Sequence, residues 1–313
     1  MITVVLSDLH AGPGLGSWEW CSQEDVARQA AFLDALPPAI ERVILAGDIF
    51  DNQVCPVDIR PPTTRETLAL GPAARLTAKL RAVPERIEVF YTGGNHDATM
   101  DVELLHDVLP RVMYMGTHAL LDDARIEHGH THALFCAPDP AIPDAVPLGY
   151  FISRLAATAD ARTGGHTPSR MQVVDELLKL GEARETLPTA LLNAMTSRAG
   201  VGDRDPILMP ADLWSGRTTT IAEVRELYRD LVGRWIVANG ALSIFPAVEA
   251  ECRNLGPAAK KLLTNGTRAV IMGHTHRIAY EPDDAGVYAN SGSWCDGATG
   301  RVEIDAGGVT VYA

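Results

Sequence analysis

The sequence predicts an α/β protein that carries a helical insertion, and three observations support this prediction. Apolar, β-branched runs alternate with helical patterns over residues 1–135, as in α/β layer structures. Four of these apolar runs, and a fifth run over Ala269–Met272, end in a short polar motif. Over residues 136–265 the strand-like alternation disappears and helical patterns follow one another. We therefore predict a domain formed by residues 1–135 and 266–313, with residues 136–265 inserted into it as a helical cap.

Length and composition are those of a globular chain and exclude several classes of protein. The 313 residues, 46% of them hydrophobic, can fill the core of a large domain. A formal net charge of −13 argues against nucleic acid or an anionic membrane surface as a partner. No apolar stretch is long enough for a transmembrane segment, and the run Ile2 to Leu6 is predicted to be the first strand rather than a signal peptide.

The cysteines point to the cellular compartment. There are five, an odd number, and they are scattered through the chain without a Cys-x-x-Cys pair. This usage argues against a disulfide framework or a zinc ribbon. We therefore predict a cytoplasmic protein.

Helices of the first part of the chain are predicted from apolar periodicity and capping signals. They run from Ser22 to about Leu36, from Thr64 to Ala82 with a break at Gly71, and from Asp101 to Leu109. Ser22 and Asp25 form a capping-box pattern, in which each side chain accepts from the backbone of the other residue.

Further helices are predicted in the insertion, and short strands after it. The helices are Leu148–Ala161, Ser169–Ala183, Leu187–Arg198, Ile221–Ala238 and Ala247–Thr264. Thr220 and Glu223 form a second capping-box pattern, and the helix after them has one apolar face. The strands after the insertion are Ala269–Met272, Ile278–Glu281, Val287–Asn290, Val302–Ile304 and Val309–Tyr312.

The five polar motifs together predict a two-metal centre. They are Asp8-x-His10, Gly47-Asp48-x-x-Asp51, Gly94-Asn95-His96-Asp97, His128-Gly129-His130 and Gly273-His274-Thr275-His276. Each motif follows an apolar run, so each is expected in a loop at the end of a buried strand, where distant segments meet at one sheet edge. Asp and His are the side chains that hold borderline divalent ions.

Roles can be assigned to the residues of the first three motifs. Asp8 and His10, two residues apart, can bind one ion together, and the two oxygens of Asp48 can bridge two ions. Asn95 offers a neutral amide oxygen. His96 lies beside the metals and can donate a proton to a leaving oxygen, and Asp51 is placed to orient its imidazole.

Histidines supply the remaining candidates. His274 and His276 can reach two different ions from one strand end, because they are two residues apart. In the fourth motif we favour His128 as the ligand, since it directly ends its strand, and keep His130 as the alternative. Of the other histidines, His132 and His166 are the first candidates for substrate contacts.

At these residues the chain resembles the calcineurin-like metallophosphoesterases, whose ordered motifs are D-x-H, GD-x-x-D, GN-H-[DE], a His-containing fourth motif and GH-x-H. The resemblance implies a four-layer α/β/β/α sandwich of two mixed sheets. It also implies two metal sites that share Asp48 as the bridge. Asp8, His10 and His276 would complete one, and Asn95, His128 and His274 the other, with His96 as acid and Asp51 behind it.

The activity implied is hydrolysis of a small-molecule phosphoester or a diphosphate by a hydroxide that bridges two divalent ions. The mixed nitrogen and oxygen donors favour Mn²⁺, Fe or Zn²⁺, and Mg²⁺ and Co²⁺ are also compatible.

Two alternative functions stay open. The chain is also similar to UDP-2,3-diacylglucosamine hydrolases, a pyrophosphatase type that has Arg where this chain has His96 and Asp where it has His130. The second alternative is a non-catalytic metal-binding scaffold on the same fold, which would be expected to have lost ligands.

The insertion is expected either to select the substrate or to serve stability or oligomerisation. Its arginines are candidates for a second phosphate or a nucleotide, namely Arg154, Arg162, Arg170 and Arg198.

Overall fold

The structure is a computed structural model that describes residues 2–164, 186–264, 266–295 and 297–313. Its strands are β1 (Ile2–Leu6), β2 (Ile40–Ala46), β3 (Glu88–Thr92), β4 (Val112–Tyr114), β5 (His118–Leu121), β6 (Ala124–Glu127), β7 (Pro206–Ile207), β8 (Thr219–Thr220), β9 (Ala269–Met272), β10 (Ile278–Asp283), β11 (Gly286–Ser291), β12 (Arg301–Asp305) and β13 (Gly308–Tyr312).

Helices occupy the segments between the strands and most of the described part of the insertion. They are α1 (Gln23–Asp34), α2 (Thr64–Thr67), α3 (Gly71–Ala82), α4 (Val102–Val108), α5 (Leu148–Thr163), α6 (Leu187–Ala199), α7 (Ile221–Tyr228), α8 (Leu231–Asn239), α9 (Ile244–Ala250) and α10 (Gly256–Leu262). The predicted helix Ser169–Ala183, His166 and Arg170 lie outside the described residues.

Two mixed sheets carry the fold. The first has the strand order β13-β12-β1-β2-β3-β4. Strands β1 to β4 are parallel to one another, β12 is antiparallel to β1, and β13 is antiparallel to β12. The second has the order β10-β11-β9-β6-β5, in which β11, β9 and β6 are parallel. The carboxyl ends of β1, β2 and β3 therefore share one edge, and those of β6 and β9 share another.

The sheets face each other across a core of small and branched side chains. Val5, Ile44 and Phe90 from the first sheet lie in one cluster with Ile126 and Ile271 from the second. Because side chains alternate along a strand, the neighbouring residues point outwards and must be covered by helices.

Helices cover both outer faces. Val43 of the first sheet packs with Val26 of α1 and Leu76 of α3. On the second sheet Met272 packs with Ala259 of α10. These four layers confirm the predicted α/β/β/α sandwich. Helix α10 falls within the segment predicted as the insertion, and the division of the chain at 136–265 stays a prediction.

The described insertion helices have a core of their own. Phe151 of α5, Leu192 of α6, Val224 of α7 and Trp235 of α8 belong to one buried cluster. No single helix among the described residues has the length and apolar character to cross a membrane, although the bent pair Ile221–Asn239 and Ala241–Ala250 passes that test jointly.

Several element predictions are confirmed, and others are corrected. Both capping boxes form, at Ser22 and at Thr220. The predicted helix Ile221–Ala238 is two helices, and Ala247–Thr264 is replaced by α9 and α10. The run from Leu120 to Glu127 is not one strand, because a turn at Asp122 makes it part of the hairpin β5–β6.

Two arginines predicted as phosphate contacts have structural roles. Arg154 is fully buried and donates to the backbone oxygens of Pro56, Ile59 and Leu208 at 2.7–2.9 Å. Arg162 donates to backbone oxygens just after α6. Full burial removes Arg154 as a contact for a second phosphate, so the prediction was wrong for this residue. Arg162 is exposed, and its assignment stays a prediction.

Candidate metal centre

All five motifs lie at strand ends, as predicted, and their side chains converge. Asp8 follows β1, Asp48 follows β2 and Asn95 follows β3 of the first sheet, whereas His128 follows β6 and His274 follows β9 of the second. The facing sheets thus bring loops that are up to 266 residues apart in sequence into contact, as in the bonds from His274 N to Asp8 Oδ1 and Oδ2.

The first group of candidate ligands consists of Asp8, His10 and His276, whose donor atoms lie within 4.8 Å of one another. His276 Nε2 is 3.2 Å from Asp8 Oδ1 and 3.1 Å from His10 Nε2. Donors that bind one ion at about 2.0–2.2 Å are roughly 3–3.5 Å apart in tetrahedral or octahedral sites. The group therefore has the spacing of an ion site.

The second group consists of Asp48, His128 and His274. His128 Nε2 is 3.1 Å from Asp48 Oδ2 and 3.2 Å from Asn95 Oδ1. The other ring nitrogen of His128 is 3.1 Å from the backbone oxygen of Ala46, which fixes the ring orientation.

Asp48 joins the two groups. Its Oδ2 is 3.1 Å from His128 Nε2 and 3.8 Å from His10 Nε2, so one carboxylate faces a histidine of each group. All three side chains are buried. A carboxylate in this position is able to bridge a pair of neighbouring divalent ions.

Asp51 contacts two histidines. Its Oδ2 lies 2.9 Å from His10 Nδ1 and 2.8 Å from His96 Nδ1. His96 is only 3% exposed, so it can act only on an atom that enters the centre itself. His96 also lies within ligand distance of His10 and Asp48, so the geometry allows it to bind an ion as well as to act as an acid.

The carboxylates of the centre are held ionised. Burial alone would raise the pKa of Asp48, but the charges of His128 and His96 outweigh it and hold the pKa well below the usual value. The pKa of Asp51 is lowered in the same way, against burial, by His96 and His10. Conversely, Asp48 and Asp8 raise the pKa of His128 to about 9, although burial acts to lower it.

The backbone of the ligand loops is strained. Of the eight non-glycine residues with positive φ in the described chain, five are candidate ligands: Asp8, His10, Asp48, His274 and His276. Each such residue costs on the order of 1 kcal/mol or more and persists only where the surroundings enforce it. Strain concentrated on one set of side chains indicates that their placement is functional.

Two glycines allow the loops to approach closely. A Cβ on Gly94 would overlap the carboxylate and backbone nitrogen of Asp48, and one on Gly273 would overlap the side chains of Ser7 and Asp8. Glycine in the third and fifth motifs is therefore needed for contact between loops.

Two supporting residues were not predicted from the sequence. Asp97 accepts from the backbone nitrogens of Ile49, Phe50 and Gly94, and so ties the second motif to the third. The ring of Trp20 lies 4.8 Å from that of His10 and covers the first group. Asp97 could have been noticed as the last residue of its motif, whereas Trp20 lies in a loop without any pattern.

The remaining described candidate histidines, His130 and His132, lie outside both ligand groups. His130 belongs to neither ligand group, and burial together with the charge of His128 lowers its pKa to about 3. His132 Nε2 lies 2.6 Å from Glu127 Oε1, so this ring is hydrogen-bonded to a side chain outside both ligand groups. Of the two histidines in the fourth motif, His128 is the one that the structure brings to Asp48.

A third group of possible donors lies behind the second. Cys136, Glu251 and His274 have donor atoms within 4.8 Å of one another, and all three are buried. Glu251 also accepts from the backbone nitrogens of Phe135 and Cys136, and so connects the end of α9 to the loop after the fourth motif.

The residues present fit a pair of divalent ions. Imidazole nitrogens, ionised carboxylates and an amide oxygen are the donors that Mn²⁺, Fe and Zn²⁺ accept. Asp8, His10 and His276 would hold one ion, Asn95, His128 and His274 the other, with Asp48 between them.

The chain was also compared with known protein families, curated proteins and solved structures. The family model of the calcineurin-like phosphoesterases matches residues 1–139, which include four of the five motifs. A comparison with curated proteins found no match.

Solved structures are similar over nearly the whole chain. They include an archaeal phosphodiesterase (12% identity, 100% of this chain and 99% of the other, TM-score 0.37), a phosphopantetheinyl hydrolase from Mycobacterium tuberculosis (14%, 93% and 89%, 0.34) and a dimetal phosphatase from Danio rerio (11%, 97% and 91%, 0.36). At these TM-scores the structures do not bear on substrate. The similarity to the calcineurin-like phosphoesterase family therefore rests on the match of its family model to residues 1–139.

Proposed function

We propose that the protein is a dinuclear-metal phosphoesterase that hydrolyses a phosphoester bond of a small molecule. The observation that carries this proposal is the shared Asp48, whose carboxylate faces His10 of one ligand group and His128 of the other. The alternative of a non-catalytic scaffold is less well supported, because both ligand groups and His96 are present.

Two bound divalent ions would supply a water of lowered pKa and would neutralise the phosphoryl oxygens. The donor set supports Mn²⁺, Fe or Zn²⁺ over Mg²⁺, because imidazole is a common ligand of the first three.

The protein's own residues would perform the remaining steps. His96 would donate a proton to the leaving oxygen, and the Asp51 carboxylate, 2.8 Å from His96 Nδ1, would fix the ring so that Nε2 carries that proton. Trp20 covers His10 and His276 and so limits the access of water to the first group.

We further propose a cytoplasmic location. All five cysteines are buried free thiols, which is the state expected in a reducing compartment.

The test is metal-dependent turnover of simple phosphate mono- and diesters, with Mn²⁺ supplied and metal content measured in parallel. Asp48→Ala should lose bound metal and turnover together, because it removes the ligand shared by both groups. Asp284→Ala, at an exposed turn, is the matched control and should keep both. Full activity after chelation, confirmed by metal analysis, would overturn the proposal.

A further inference from the structure

A cavity of about 320 Å³ adjoins the second ligand group, because Gly94, Asn95 and His130 contribute to its lining. We propose that this cavity receives the alcohol part of the substrate and that it selects compact, uncharged alcohols. The inference rests on the proposed function for its reaction and adds the class of leaving group.

The wall of the cavity comes from both parts of the chain. Residues 143–147, with Tyr150 and Leu213, belong to the predicted insertion. The first sheet contributes residues that follow β3 or lie at and after the end of β4, namely Gly93, Gly94, Asn95, Asp97, Ala98, Tyr114, Gly116 and Thr117. Residues of the insertion therefore form part of the cavity wall beside the metal centre, as expected of an element that selects the substrate.

Most of the lining is apolar or neutral. Its larger apolar side chains are Met100, Tyr114, Val146, Tyr150 and Leu213, and Gln53 and His130 add polar side chains. Pro143 and Pro147 add rigid apolar surface. A surface of two phenol rings and aliphatic groups favours an aromatic or short aliphatic alcohol over a hydrophilic one.

The charges in the lining oppose an anion. Among the described lining residues none is Lys or Arg, and the acidic ones are Asp97 and Asp144. The buried carboxylate of Asp97 accepts from backbone nitrogens, whereas Asp144 is exposed, so Asp144 is the carboxylate that an incoming group meets. Anionic groups in buried sites normally require a cationic partner, and arginine is the usual one for phosphate. A second phosphate or a carboxylate on the leaving group would meet repulsion instead.

Arg154 does not compensate for these carboxylates. It donates to the hydroxyl of Tyr150 at 2.9 Å, but its other donors are used by backbone oxygens of Cys55, Pro56, Ile59 and Leu208. The guanidinium thus supports a wall residue and is not directed into the cavity.

The volume limits the size of the group. A water molecule takes about 30 Å³ in the liquid, so the cavity corresponds to roughly ten water molecules. A single ring with small substituents fits this space.

The insertion side of the wall is held in place. Asp139, which precedes residues 143–147, accepts from Arg234 Nε and Nη2 through both of its carboxylate oxygens at 2.6–3.0 Å. The Tyr228 hydroxyl donates to the backbone oxygen of Val146, and Gly149 N donates to the oxygen of Phe135 at 2.8 Å. Because these bonds fix the wall before a ligand arrives, the cavity can discriminate between ligands by shape and charge.

The experiment compares two aryl phosphates of equal phenol pKa, one with an uncharged ring and one whose ring bears a carboxylate. The metal-loaded protein should favour the uncharged ester in kcat/KM by about tenfold or more, which is about 1.4 kcal/mol. A second readout is calorimetric binding of the two free phenols to the full-length protein after chelation, where the same order is expected.

Variants connect the preference to the cavity. Asp144→Lys exchanges an exposed lining carboxylate for a cation and should reduce the preference by at least about threefold. Asp284→Lys makes the same change of charge at a distant turn and should leave the preference unchanged. Ala145→Trp fills the cavity and should abolish phenol binding.

The outcomes separate the two proposals. Equal binding of both phenols, or equal effects of Asp144→Lys and Asp284→Lys, would overturn the cavity assignment even if both esters were hydrolysed. Discrimination between the phenols without any ester turnover would instead overturn the phosphoesterase proposal and leave the cavity as a binding site for small uncharged alcohols.

Discussion

His96 can act either as an acid or as an additional metal ligand, and a substitution of this residue distinguishes the two roles. We expect His96→Asn to lower kcat by about 10²–10⁴-fold for alkyl phosphates, because a poor leaving group needs the proton. The loss should be smaller for nitrophenyl phosphates, whose leaving group needs little protonation. Kinetics with both substrate types, together with metal analysis, would test this.

The metal content of His96→Asn provides the control. If His96 acts as an acid, the variant keeps two ions per chain. Loss of one ion, with equal damage to both substrate types, would show that His96 belongs to the ligand set with His10 and Asp48.

At the scale of single residues the sequence predicts the candidate ligands well, because each follows an apolar strand and has a donor side chain. It does not predict their support. Trp20 reaches His10 only through the path of an irregular loop, and Arg154 becomes a structural residue because it is fully buried among backbone oxygens. Both outcomes depend on tertiary contacts that have no local sequence pattern.

Helix α5 is bound to the loop after the second motif by Arg154 and by Thr158, whose hydroxyl accepts from Val57 N at 2.9 Å. Arg154 donates to backbone oxygens at Pro56 and Ile59 of that loop, and at Leu208 beyond α6. Because its removal leaves several buried oxygens without donors, we expect Arg154→Met to lower the free energy of unfolding by about 3 kcal/mol or more. Urea unfolding would measure this.

Arg229→Met is the matched control for this prediction. Arg229 has a side chain that is 71% exposed, so its replacement should change the unfolding free energy by no more than about 0.5 kcal/mol. Similar values for the two variants would contradict the structural role of Arg154.

The elements themselves are predictable where a capping signal accompanies the periodicity, as at Ser22 and Thr220. Internal breaks are not. The apolar positions Val224, Leu227, Leu231 and Trp235 keep helical spacing although α7 ends at Tyr228 and α8 begins at Leu231. Periodicity records which face is buried, and it is insensitive to a local change of direction of the backbone.

The molecule as a whole should be stabilised by the ions that it binds. An ion that binds only the folded protein adds about 2.7 kcal/mol to the unfolding free energy at a concentration 100 times its Kd. We therefore expect Mn²⁺ to raise the unfolding midpoint and a chelator to lower it. Asp48→Ala should remove this dependence, and Asp284→Ala should preserve it.

Equal midpoints of the wild-type protein with Mn²⁺ and with chelator would contradict this prediction.

The whole-molecule architecture was predictable because five strand-end motifs can meet only if their strands share sheet edges. The cavity beside the second group was not predictable, since its wall combines loops of the first sheet with residues 143–147, and their meeting depends on the packing of the complete fold.

The left-handed backbone of the candidate ligands has a consequence for directed evolution. Glycine and asparagine adopt this conformation at lower cost than histidine or aspartate does, and neither brings a buried charge. A library of variants screened only for heat resistance should therefore accumulate these two residues at Asp8, His10, Asp48, His274 and His276. Selection for durability alone would dismantle the site first, so any such campaign needs a functional filter.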